Sequence, residues 1–515
     1  MKNLFVLVLI ICGNVSLMAQ DRPKIVVGIT INQFYPEWLD LYSKEMSDGG
    51  FKRILKQKSL TADYNYMFSQ RGVDQATLSS GVYPSTHGIV SDVWYNRLSK
   101  KVMNMALSTR YRSLGGQNAY SPDNMSAFTI ASALKLNNAD SKIYSIGVDP
   151  ETAVMGGGAS ADLAVWYSGN TGRWCTSSYY KGLLPTWISN FNIDHDPDEL
   201  IEKNWSSNNE NKKFKNFNYN LKKLHTQMQS YDCIKATPYV NTMVTELAQY
   251  VLENAMMGIG SNPDLLMLNF NCLDYLNRTL SINSLEFHDE VLSLDKDLEK
   301  LFTLLDKKFG ANGYTLFLTF SEAKELLPDD LDAIKVRGGY FSMFKAISLL
   351  KSYLNISYKI DGLIKSYDSG QIYLDRDLIE RHSLSLEKVQ KKVALFLSDF
   401  EGVANVVTAS NLAVSNPSEG NAILLKNSYV PQRSGDVLFS LKPTWIPALE
   451  ELNDFYNCYS KRHKVPIYFM GKGVAKIKTK YCKIIDILPT ICAICKIPIP
   501  YSAEGKSLLE DRVLF

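Results

Sequence analysis

The chain has 515 residues, 45% of them apolar and 21% charged, enough to enclose a large core and ordinary for a globular protein. Its formal net charge of +3 is too small for a nucleic-acid partner held through phosphates. Beyond Cys12, the cysteines Cys175, Cys233, Cys272, Cys458, Cys482, Cys492 and Cys495 are odd in number and irregular in spacing, which argues for core residues and against a disulfide framework.

In chain order, residues 1–19 read as a secretory signal: Lys2, the apolar run Leu4–Cys12, then Ser16-Leu17-Met18-Ala19 before Gln20. The run is too short for a membrane span, and bulky Ile11 argues against lipid anchoring through Cys12. A periplasmic or secreted chain is expected, with no transmembrane span after cleavage. Lys24–Ile31 is a continuous apolar run, the pattern of a central strand buried on both faces. Phe68–Gly81 reads as a turn into a short helix closed by Gly81, followed by a loop through Pro84. A strand, a turn and a helix N-terminus together present N–H groups to an anion, and Arg71 stands at that helix start.

Lys142–Val148, Leu265–Phe270, Tyr314–Phe320 and Val465–Met470 repeat the strand pattern. Between them lie amphipathic stretches at Met125–Leu136, Val240–Ala255 and Leu292–Lys308. This alternation predicts an α/β fold with a doubly wound, mostly parallel sheet. The ligand crevice of such a sheet opens at the C-terminal strand ends. The residues placed there are Asn32, Arg71, Asp149 to Glu151, Asp274, Ser321-Glu322 and, before the last strand, His463-Lys464. One domain over residues 20–515 is expected, with an inserted cap at about 150–235 and a small α+β subdomain at about 330–460. The subdomain shows in Ile347–Leu354, Gln371–Leu374, Leu386–Leu397 and Val403–Val407. Asp194–Glu199 lacks the spacing of a Ca²⁺ loop and reads as solvated. Lys461–Lys483 carries eight Lys/Arg and no acid; a solvated face is the first reading, attraction to an anion or a membrane the second.

Further blocks make the pattern recognisable: Arg22–Ile29, Pro84-Ser85-Thr86-His87-Gly88-Ile89 with Trp94-Tyr95, Leu273-Asp274-Tyr275, Leu318-Thr319, Arg433-Ser434-Gly435-Asp436 and Asp486-Ile487-Leu488-Pro489-Thr490. The chain resembles the alkaline phosphatase superfamily in its type I phosphodiesterase/nucleotide pyrophosphatase branch. Within that branch it is similar to the secreted, phosphate-irrepressible alkaline phosphatases of flavobacteria. The resemblance implies a pair of zinc ions on Asp and His ligands, clamping the attacking and leaving oxygens of phosphoryl transfer.

Carried across one position at a time, the resemblance breaks at the centre. The family's first aspartate is Asn32, its threonine nucleophile is Arg71, and its Asp-x-x-x-His pair is Asp274 and Arg278. Its Asp-His dyad is Ser321-Glu322, and its last histidine falls on Lys464, with His463 one place away. Of these ligand positions only Asp274 is retained, leaving Glu322 and His463 as weak metal candidates. Arginine and lysine offer a metal no lone pair near neutral pH, and zinc needs about four donors. The family's substrate-holding asparagine, lysine and arginine correspond to Asp92, Asp149 and Glu151, an inversion of sign.

The expectation is therefore a non-catalytic relative without cofactor. It binds a protein partner or an anionic small molecule, with Arg71 and Arg278 paired to some of Asp92, Asp149, Glu151, Asp274 and Glu322. The alternative is a phosphomonoesterase or phosphodiesterase whose metal ligation is rebuilt from Asp74, Asp92, Glu322 and His463. His87, in the Pro-x-x-His-Gly-Ile turn, reads as structural.

Overall fold

The first apolar run forms strand β1, Ile25–Asn32, and all eight of its residues are buried. Unbroken burial requires cover on both faces, as in the middle of a helix-flanked sheet. Gly28 belongs to that crowding: a Cβ there would lie 2.4 Å from Phe317 and 2.5 Å from Met267 on the neighbouring strands. The computed structural model describes residues 22–34, 36, 38–207, 216–272, 284–322, 326, 328–333, 335–368, 370–415, 417, 420–448 and 464–509.

The main sheet takes, in chain order, β1, β2 (Lys58–Asp63), β3 (Ser113–Leu114), β4 (Ile143–Gly147), β5 (Leu163–Ser168), β6 (Arg173–Ser177), β7 (Asp264–Asn271) and β8 (Tyr314–Ser321). A satellite sheet follows with β9 (Ile364–Asp368), β10 (Gln371–Leu374), β11 (Val403–Thr408) and β12 (Val437–Leu441). The chain then returns to the main sheet as β13 (Lys464–Gly471) and β14 (Tyr481–Lys483). The spatial order of the ten main strands is β14-β2-β13-β8-β1-β7-β4-β5-β6-β3. From β8 to β5 every neighbouring pair is parallel, whereas β13 runs antiparallel to both β8 and β2.

The principal helices are α1 (Arg71–Ser80), α2 (Ile130–Asn137), α3 (Pro150–Gly157), α4 (Asp232–Lys235), α5 (Tyr239–Asn254), α6 (Leu285–Phe309), α7 (Met343–Tyr358), α8 (Leu386–Ser398) and α9 (Ile487–Cys495). With flanking helices the sheet builds the principal apolar core of an α/β architecture. Two helices start away from their expected positions because of caps. Thr129 accepts from the Ser132 N–H at the start of α2, and Ser284 accepts from the Phe287 N–H at the start of α6.

Within residues 150–235, α3, β5 and β6 belong to the main core, and the following segment closes over it through Ile188, Phe191, Leu221 and Cys233. Residues 341–445 gather a second apolar cluster between the satellite sheet and the helices α7 and α8. Among the ties between that satellite and the main body is a buried carboxylate. Asp436, wholly buried, accepts from Arg376 Nε (2.8 Å) and Nη2 (2.7 Å), Arg97 Nη2 (3.2 Å), Leu374 N (2.8 Å) and Gln390 Nε2 (3.3 Å). Beside it, Arg433 donates to the carbonyls of Gly88 and Asn124 and lies 5.2 Å over the Trp94 ring. Among the described residues no helix is long and apolar enough to cross a membrane, and the six described cysteines are free thiols.

Register lines up the strand ends that matter. Asn32 sits opposite Asn271 on one side and Ser321 on the other, so three side chains face one crevice. The antiparallel sense of β13 brings its first residue, Lys464, to the same end of the sheet, opposite Asp63.

Candidate functional site

Helix α1 begins at Arg71, and its N-cap, Gln70, makes no side-chain cap. A cation in this position opposes the helix dipole, and the first-turn N–H groups need an acceptor. Asp92 supplies it: its Oδ1 accepts from Gly72 N at 3.1 Å. The approach depends on glycine, since a Cβ at position 72 would stand 2.7 Å from that oxygen. Gln70 Oε1 holds the Asp92 loop by accepting from Asp92 N and, at 3.0 Å, from Ser91 Oγ. At the other end Gly81 closes the helix in the left-handed region, with φ of 66°.

Arg71 lies between two carboxylates. Its Nη1 is 2.5 Å from Asp149 Oδ2, and its Nε is 3.5 Å from Glu322 Oε2. All three side chains are largely buried, at 16%, 8% and 2% exposure. Glu322 reaches Arg71 from a left-handed backbone, φ 48°, which is uncommon for a residue with a Cβ. Asp149 also accepts from Asn271 Nδ2 (2.7 Å) and Lys235 Nζ (3.3 Å), and the same lysine touches Asp232 at 3.2 Å. A buried carboxylate is stable only when paired and hydrogen-bonded, and Asp149 is held by two cations and an amide. Next to it, Glu151 accepts from Asn104 Nδ2 at 2.6 Å; burial, then the charge of Asp149, raises its pKa above the usual glutamate value.

The remaining strand ends are joined by amides. Asn32 Nδ2 donates to Asn269 Oδ1 (3.0 Å) and Asn271 Oδ1 (2.7 Å), while Asn269 Nδ2 donates to Thr30 Oγ1 (2.7 Å) and Asn32 Oδ1 (3.2 Å). Ser321 Oγ donates to Asp74 Oδ2 at 2.9 Å. Asp74 also accepts from Tyr66 (2.5 Å), Ser69 (2.6 Å) and Glu322 N (3.0 Å), so four donors surround one buried carboxylate.

These contacts bear directly on metal binding. At the described positions that the resemblance assigns to metal ligands, Asn32 is engaged through both its nitrogen and its oxygen, Arg71 has no lone pair, and Ser321 points at Asp74. Glu322 faces a guanidinium, and Lys464 is exposed at the start of β13. Among the described residues no group of three or more His, Cys, Asp or Glu is placed to hold a metal ion. The described donor set does not fit a pair of zinc ions. Asp274, Arg278 and His463 lie outside the described residues.

Lys235, Asn271, Asn269 and Asn104 are absent from the sequence-based site. Asn271 ends an apolar strand and was open to the same strand-end reasoning as Asn32. Lys235 reaches Asp149 across 86 positions of chain, and no local pattern announces that meeting.

His87 lies outside this cluster and is wholly buried. Its Nδ1 accepts from Ile89 N (3.1 Å), which leaves the proton on Nε2, 2.9 Å from Thr77 Oγ1. Thr77 donates its own hydroxyl proton to Val73 O at 2.9 Å and is free to accept that proton. Burial, helped by the charge of Arg433, lowers the His87 pKa to about 3. The unfolded chain, with histidine near 6.5, binds this proton first as pH falls, so the folded state loses stability below pH 6.5 and through about 3. Urea unfolding is expected to show about 2–3 kcal/mol lost to this group between pH 6.5 and about 4.5. His87→Asn should lower stability at neutral pH and flatten that part of the acid slope; an unchanged slope would refute the assignment.

The comparisons with known proteins agree with this geometry of fold. The chain is similar to a protein named calcium-transporting ATPase from Myroides odoratus, 28% identical over 524 residues and covering 95% of each chain. It is also similar to alkaline phosphatase PafA of Elizabethkingia meningoseptica, 28% identical over 530 residues and covering 96% of this chain and 95% of PafA. The crystal structure of wild-type PafA superposes with a TM-score of 0.83 at 26% identity, over 94% of this chain and 98% of that one. The model of one family, type I phosphodiesterase/nucleotide pyrophosphatase, matches residues 26–465. By that match across most of its length, in an alkaline phosphatase-like fold, the chain belongs to the type I phosphodiesterase/nucleotide pyrophosphatase family.

Proposed function

We propose that this chain is an exported, non-catalytic member of its family that works by binding, through the old cleft or its insertions, a protein partner or an anionic small molecule. One observation carries the reading: Arg71, which the family resemblance sets at the nucleophile's position, has its guanidinium held between Asp149 and Glu322. Arginine cannot attack phosphorus, and the groups around it are committed to each other. Export rests on the signal-like residues 1–19. A second reading, hydrolysis of phosphate mono- or diesters with metal ligation rebuilt from Asp74, Asp92, Glu322 and His463, draws on the name of the relative PafA.

One purified preparation separates the two. Metal analysis is expected to find no stoichiometric zinc, and an aryl phosphate and a bis-aryl phosphate are expected to remain unhydrolysed. About two zinc ions per chain together with turnover that a chelator abolishes would establish the second reading and end the first.

A further inference from the structure

We propose that the surface formed by residues 472–509 docks electrostatically on a lipid leaflet that contains anionic phospholipid. The stretch holds seven lysines, no arginine and two acids, whereas the whole chain has a net charge of only +3. The fold folds it back on itself. Ile477 bridges to Leu509, and the N–H groups of Lys483 and Lys506 donate to the two oxygens of Asp486, at 2.7 and 2.8 Å. Lys476, Lys478, Lys480, Lys483 and Lys506 are all exposed. None of the five makes an ion pair within 4.0 Å among the described residues.

The nearby acids are occupied elsewhere. Asp486 is taken by the two backbone donors, Glu504 accepts from Thr86, and Asp63, opposite Lys483 in register, accepts from Asn65 N. Two tyrosines stand out on the same stretch, Tyr481 at 74% and Tyr501 at 106% exposure. Part of this pattern has a plain cause: β14 is an edge strand, and lysine on an edge discourages further strand pairing. Edge protection accounts for Lys480 and Lys483 and leaves Lys476, Lys478 and Lys506 unexplained.

The kind of charge fits an array of headgroups better than the reading of bases. Lysine is a mobile, hydrated point charge, suited to a diffuse array of headgroups; arginine supplies the fixed fork that reads phosphates and bases in nucleic acid. Ring-and-hydroxyl side chains such as tyrosine favour the boundary between water and lipid.

The test is co-sedimentation of the full chain with phosphatidylcholine vesicles, with and without about a third phosphatidylglycerol. Binding is expected to the anionic vesicles alone, and to vanish in about 1 M salt, where screening falls to about 3 Å. Each lysine near such a surface contributes roughly fivefold, so Lys476→Glu/Lys478→Glu/Lys506→Glu should weaken binding by on the order of 100-fold or more. Those positions are exposed, and thermal unfolding of the triple variant should match the wild type. Equal binding to neutral vesicles, indifference to the triple variant, no binding at low salt, or binding to duplex DNA in preference to vesicles would each overturn the proposal. This inference is independent of whether the cleft hydrolyses anything.

Discussion

Asp436→Ala is expected to lower the unfolding free energy by about 3–5 kcal/mol, among the largest single-residue effects in the molecule. The reason is the asymmetry of buried ion pairs. Asp436 is wholly buried and answers Arg376 twice, Arg97, Gln390 and the N–H of Leu374. Truncation leaves the largely buried Arg97 guanidinium, the Leu374 N–H and the Gln390 amide without this acceptor, while Arg376, 38% exposed, can turn to water. Because Arg97 comes from the main body and the other partners from the satellite, the loss should fall on the junction between them. Limited proteolysis should then cut within residues 341–448 well before the central sheet yields. A variant that unfolds at the wild-type urea midpoint would show that the second core holds without this carboxylate.

Arg71→Ala is expected to cost a similar amount, about 3–5 kcal/mol at neutral pH. Asp149 keeps Lys235 and Asn271, whereas Glu322, 2% exposed, loses the guanidinium beside it. The double variant Arg71→Met/Glu322→Gln removes both charges and should recover much of the loss, since an apolar replacement of a whole buried pair is often neutral. A double-mutant cycle should then return a coupling of about 1 kcal/mol or more. Purely additive losses would mean that the two side chains are neighbours without mutual dependence. Arg71→Thr, which restores a hydroxyl of the family's type, is expected to remain inactive toward aryl phosphates, because Asn32 and Ser321 still face their neighbours and no metal.

Much of the fold was legible because its strands are buried on both faces. β1, β7 and β8 read as unbroken apolar runs for that reason, and the sheet follows from their alternation with helices. Helix starts were less legible, since a single hydroxyl, Thr129 or Ser284, settles where the first turn begins. Arg71, Asp149 and Glu322 could be listed from strand ends and from the family pattern before any contact was visible. Which acid meets Arg71 could not, because Asp149 and Asp92 compete for the same neighbourhood, and backbone geometry gives one the guanidinium and the other the N–H of Gly72. Lys235 stayed hidden because the short helix that carries it has no feature of its own beyond its place over the cleft.

The amide row at Asn32, Asn269 and Asn271, together with the charges beside it, limits how the crevice can change. Each group is held by its neighbours, so no member can be exchanged alone without stranding another. Asp149→Lys by itself would crowd a third cation against Arg71 and Lys235, and Asn32→Asp would set an anion against two amide oxygens that now receive its N–H donors. Substitutions at this crevice are therefore expected to be strongly coupled: one exchange strands a buried partner, and only concerted exchanges keep every group paired.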